Sequence, residues 1–290
     1  MRKVGFLLKD TYAHWRADDV PQLAAALAYY TSVSVAPLIV FASMAAGLVW
    51  GSTEVARSQL FEQVGALFGK EVATFARLVV SGAETPSIST IAGIISLGTL
   101  IWGSTNVFAQ LQNALNRVWN VQTEQRGLAR IVRERFLAFV LVLAMSVLLL
   151  LSLLFSTAVS AAYTSVASTF AWLPFSWQLA SFTVTALVLT PLFAIVFKVL
   201  PEADVAWGDV WVGATVTAVL FTAGETLISF YLGRTATAYG ATGSVLAFLL
   251  WMYYSAQIFF IGAEFTQAYA NRFGSGLASA ASGADPAPES

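Results

Sequence analysis

Two carboxylates, Glu225 in FTAGETLISF and Glu264 in FIGAEFTQAYAN, stand inside long apolar stretches of the chain. An ionisable group within a bilayer is expensive to keep, so it faces water, pairs with another group or carries a proton. No Lys or Arg shares the apolar stretch of Glu225, and Arg234 is the nearest cation in sequence. Glu225 therefore reads either as a proton- or cation-coupling residue or as a partner in an interhelical hydrogen bond. Glu264 belongs to a pattern. With Tyr253 as origin and 100° per residue, Gln257 falls at about 40°, Glu264 at about 20°, Gln267 at about −40° and Asn271 at about 0°. One polar stripe results, with Ser244, Ser255 and Gly262 as a small-residue face opposite, suited to a close helix neighbour. The stripe predicts a polar cleft entering from the C-terminal end of its helix. The same position also suits a residue that simply marks the membrane boundary.

Other residues join these on chemical grounds. Pro37 leaves the Val33 carbonyl without its helical donor, beside Thr31, Ser32, Ser34 and the pair Tyr29 and Tyr30. Broken spans of this kind expose backbone carbonyls in transporters, and Pro191 does the same in a later stretch. Asn106 stands among Ser104, Thr105 and Gln110. Arg126, Arg130 and Arg133 are spaced to share one helical face, where each basic residue would attract anionic headgroups by about 1 kcal/mol; fixing topology is the plainer role. There is no Cys and only one His, His14, which removes Cys/His metal sites and Cys nucleophiles. No cofactor or metal is expected, and the chain is not expected to be an enzyme.

The elements that must position these residues follow from composition. Of 290 residues, 58% are hydrophobic and 11% charged, against about a quarter charged in soluble domains, so this is a membrane protein. A membrane helix needs about 20 mostly apolar residues. Six stretches qualify: 24–50, 88–108, 136–163, 179–197, 211–232 and 243–265. The expected fold is all-α, a polytopic six-transmembrane-helix bundle with amphipathic surface helices. Pro201 must end the fourth span. Eleven Lys and Arg fall on one side and four on the other, which places both termini in the cytoplasm. Residues 54–79 carry apolar positions at helical spacing and predict an outer amphipathic helix, lining an entrance or lying as a lid. At the N-terminus, Val4, Leu8, Tyr12 and Trp15 share a face. That helix either lies on the membrane or packs against the protein's own cytoplasmic side. Residues 1–272 make one membrane domain, and 273–290, small and Pro-containing, predict a disordered cytoplasmic tail. Ala24, Ala28 and Ser32 form a small-residue ridge, and Trp50, Trp172, Trp177, Trp207 and Trp211 an interfacial belt.

With the spans in place, PQLAAALAYYTSVSVAPLIVF (21–41) resembles the first-helix signature of the YihY/BrkB family, once labelled ribonuclease BN, and YGATGSVLAFLLWMYYSAQIFFIGAEFTQAYA (239–270) resembles its last. ALNRVWNV (114–121) and LPEADVAWGDVWVGA (200–214) are similar to motifs between them. The resemblance implies a six-helix bacterial inner-membrane protein, with family associations to envelope and serum resistance, lipid traffic and cation/proton exchange. It also implies a Lys after the glycine of the fifth span, where this chain has Glu225. The nuclease label fails on chemistry. Metal-ligand clusters, a His acid/base pair and a basic aromatic groove are all missing from the pattern.

Transport of a lipid-like amphiphile is the leading expectation, with Glu225, Glu264, Gln257, Tyr253, Asn106, Pro37, Tyr29 and Tyr30 as candidates for a polar path and Arg126, Arg130 and Arg133 for headgroups. Cation/proton antiport is the alternative, and a non-transporting scaffold for envelope assembly the third reading. Expected partners are membrane lipids, with a homo-oligomer left open and nucleic acid excluded, since net charge is −1.

Overall fold

The computed structural model describes residues 2–34, 106–121, 174–235 and 243–274, together with isolated residues 58, 61, 73–74 and 77–78. Pro37, Arg126, Arg130, Arg133, the spans 88–108 (apart from its last three residues) and 136–163, most of 54–79, and the tail beyond 274 lie outside the described residues. Among the described residues the regular structure is helical: α1 (Arg2–Ala17), α2 (20–34), α3 (106–118), α4 (Pro174–Val199), α5 (Trp207–Thr235) and α6 (Gly243–Arg272).

Local chemistry sets the helix ends. Asp18 donates its N–H to the His14 carbonyl (2.8 Å), Asp19 turns the chain with φ 51°, and Leu23 then bonds to the Asp19 carbonyl (3.2 Å) to open α2. Pro21 sits in the first turn of α2, where a missing N–H costs nothing. At the end of α3, Asn120 adopts φ 52° while Val121 bonds back to Asn116 (2.8 Å) and Asn120 to Arg117 (3.0 Å). This is a Schellman cap with Asn in the left-handed position. The fourth helix stops at Val199, two residues before Pro201, as expected. Beyond it, Lys198 Nζ bonds to the Val205 carbonyl (2.6 Å) and pairs with Asp204 (3.3 Å), closing the connection to α5. The α4 helix runs through Pro191, which leaves the Leu187 carbonyl without its intrahelical donor. The sixth helix continues to Arg272, past the expected end of its span at 265. Val245–Arg272 is long and apolar enough to cross a membrane by length and composition; among the described residues it is the one helix that meets both conditions.

The chain forms two compact units, one of Met1–Asp18, Leu115–Val219 and Phe260–Ser290, the other of Asp19–Ala114 and Leu220–Phe259. Within the first, Phe193, Phe197, Val205, Val210, Leu115, Val118 and Phe260 are buried. Two helices cross there through a reciprocal contact. A methyl group added to Gly213 of α5 would overlap the Thr266 side chain of α6, and one added to Gly262 of α6 would overlap Thr217 of α5. Both threonine hydroxyls turn back into their own helices, Thr217 Oγ1 to Gly213 O and Thr266 Oγ1 to Gly262 O, each at 2.7 Å. The contact thus hides four polar atoms while letting the backbones approach, the usual route to helix association where lipid is as apolar as leucine. In the second unit, Val20, Ala24 and Ala28 of α2 are buried, and Gly224 of α5 admits Ile258 and Tyr254 of α6.

The N-terminal helix presents two different sides. Leu7 and Thr11 form its packed side, whereas Leu8 and Tyr12 of the expected apolar face are about 60% exposed, as is half of Phe6. Trp207 and Trp211, one turn apart on α5, are likewise half exposed, as an interfacial belt requires.

Candidate functional site

Glu264 is completely buried, and neither carboxylate oxygen has a hydrogen-bond donor. It lies midway between Gly262 and Thr266, so the close crossing with α5 fixes its height and direction. The group acting on it is Asp18, from the turn that ends α1. The two helices run antiparallel here, because Arg272 at the end of α6 pairs with Asp10 of α1. About eight residues, roughly 12 Å of helix, separate the two contacts on each chain segment. The Arg272 guanidinium also lies 5.2 Å from the Phe6 ring centroid, a cation–π contact that grips α1 from a second side.

Around Asp18 the electrostatics are uneven. Burial raises its carboxyl above the ordinary aspartate value, and Glu264, Arg117 and His14 offset part of that rise. Arg117 Nε stands 3.7 Å from Asp18 Oδ1 with its side chain 46% exposed, so this counter-charge is largely solvated and weak. Arg117 is held by the α3 cap, and its neighbour Asn116, buried, accepts the Glu202 N–H (2.9 Å) across 86 residues. That bond unites the ALNRVWNV and LPEADV motifs. Further buried polar atoms in this unit also lack partners: Gln267 Oε1, one turn beyond Glu264, together with Trp119 Nε1 and His14 Nδ1. Buried polar groups in native proteins are nearly always hydrogen-bonded, so this concentration of unpartnered atoms singles the place out. Among the described residues no three of His, Asp and Glu are placed to hold a metal ion.

Gln257 Nε2 donates to Tyr253 Oη (3.0 Å) in the second unit. Glu225 is partly buried on α5, and Asn106, also partly buried, begins α3. Tyr30 meets Tyr29 edge-on at 5.5 Å, and Tyr29 is 60% exposed. Asp18 was not selected from sequence as a partner of Glu264, nor were Arg117 and His14 as groups around Asp18. The available signal was the Asp18–Asp19 doublet before Pro21, a polar break between two helices that could have been read as aimed inward.

These features define a helical membrane protein with a buried carboxylate beside a second one. The Virulence factor BrkB family matches residues 11–286, and the chain belongs to that family. It is similar to UPF0761 membrane proteins: 26% identical over 270 residues to one from Legionella pneumophila, covering 88% of this chain and 60% of that protein. A Ralstonia nicotianae protein is 28% identical over 262 residues, covering 87% and 56%. One from Actinobacillus pleuropneumoniae is 25% identical over 261 residues, covering 87% and 89%. The chain thus spans about 60% of the length of the Legionella relative. No solved structure matches it.

Proposed function

We propose that this BrkB-family membrane protein is a cation/proton exchanger in which Glu264 binds the exchanged ion. One observation carries the reading: a fully buried carboxylate whose two oxygens have no donor. A proton on Glu264 turns an acceptor into an O–H donor, and a small monovalent cation satisfies the same oxygens after the proton leaves. Binding one in place of the other is exchange. The headgroup arginines behind the amphiphile reading, Arg126, Arg130 and Arg133, lie outside the described residues. The setting is a six-span bundle in a bacterial inner membrane with both termini cytoplasmic. The contact of α1 with the end of α6 supports an even number of spans, since it requires both on one membrane face.

The test uses purified protein in liposomes loaded with a pH-sensitive dye and challenged with Na⁺ or K⁺. Wild type should give a cation-dependent pH change, and Glu264→Gln should lose at least about tenfold of it while melting like wild type. Translocation of labelled lipid without a dye response would return the amphiphile reading. Neither activity would leave a membrane scaffold.

A further inference from the structure

We infer that Asp18 and Glu264 share one proton, and that this proton fastens α1 to the end of α6. The inference rests on reading Glu264 as the ion-binding carboxylate and adds the control of access to it.

The N-terminal helix has two fasteners of opposite character. Its outer fastener, Asp10 and Phe6 around Arg272, joins unlike charges and an aromatic face, with both charged side chains about 40% exposed. Its inner fastener, eight residues along both segments in the same antiparallel register, sets carboxyl against carboxyl, one fully buried and the other with 19% of its side chain exposed. Two acceptor-only groups cannot bond; with one proton between them they form an O–H···O⁻ contact, and with none they repel in a medium that screens poorly.

The surrounding charges leave that balance to the proton. On α1, His14 stands one turn before Asp18 and Asp10 two turns before it, at the outer fastener. On α3, Arg117 is half solvated and Trp119 offers a neutral N–H. On α6, Gln267 is neutral and Arg272 belongs to the outer fastener. Lys198, Glu202 and Asp204 gather on the α4–α5 connection, and Asp209 packs beside Gly274, past the end of α6. Asp19, next in the chain, is exposed. Loss of the shared proton therefore loosens α1 from α6 between its two remaining attachments, Arg272 at the outer end and the turn into α2 at Asp19. The helix bows outward there and uncovers the Asp18 side of Glu264.

The chain has no Cys, so paired spin labels meet no background. Ala13→Cys on α1 and Ala206→Cys before α5 are exposed positions of the same unit. In nanodiscs, their distance distribution should hold one short population at about pH 5 and gain a longer one towards about pH 9. Glu264→Gln should keep the short population throughout, as should Asp18→Asn, which serves if the first variant does not fold. Arg272→Gln should broaden the distribution at every pH. An unchanged wild-type distribution from acid to alkali overturns the inference, even where liposome exchange is intact. A pH-dependent distance in protein that exchanges no ions upholds it and defeats the functional proposal instead.

Discussion

At the scale of single residues, Asp18 is the informative group because its position costs stability when it is ionised. Burial raises its carboxyl above the ordinary value of 3.8. A carboxyl raised on folding contributes fully below its unfolded value, and its contribution is lost as pH climbs through the higher folded value. Wild type should therefore lose thermal stability as pH rises from acid towards neutrality. In Asp18→Asn the amide can donate to Glu264 at any pH. That variant should match wild type in acid and exceed it at neutral and alkaline pH by about 1–3 kcal/mol, the range for a hydrogen bond to a charged group. Melting curves of detergent-solubilised protein across pH, followed by its nine tryptophans, check this. A constant gap between the two proteins at all pH values would show that Asp18 acts by shape alone.

At the scale of elements, the crossing of α5 and α6 makes a prediction opposite in sign to helix propensity. Replacing Gly by Ala inside an exposed helix normally stabilises by about 1 kcal/mol. At Gly213 and Gly262 the added methyl meets Thr266 and Thr217, so Gly213→Ala and Gly262→Ala should each destabilise by about 1–3 kcal/mol through overpacking. Exchanging the partners, Gly262→Ala with Thr217→Gly, should recover part of the loss. A stabilised Gly262→Ala protein would mean that the helices do not touch there. Gly208, with nothing within 4 Å of an added methyl, is the control in the same helix.

At the scale of the whole molecule, the arrangement of spans is open to direct mapping because any single cysteine is unique. Lys9→Cys and Asn271→Cys should react with impermeant maleimide only from the cytoplasmic side, and Arg57→Cys and Lys70→Cys only from the other. Labelling of all four from one side would refute the six-span order. Much of the described fold was legible in sequence where a local rule governs it. Pro201 ended α4, and apolar length located α6. The helix of α6 runs past the expected end of its span because leaving an apolar stretch does not end a helix whose next residues, Thr266 and Gln267, are buried against protein. The partner of Glu264 was not legible. Asp18 lies 246 positions away, and only packing brings it there.

The reciprocal glycine–threonine contact also limits how the molecule can move. Sliding α6 by one turn along α5 in one direction sets Thr217 against Thr266, side chain on side chain; the other direction sets Gly213 against Gly262 and leaves a gap. Both steps are penalised, so the register is locked like a key in its wards. Rotation about the contact keeps every pairing. Any change of shape that passes through this pair of helices is therefore a pivot, with Glu264 two residues from the axle and displaced little while the helix ends swing widely.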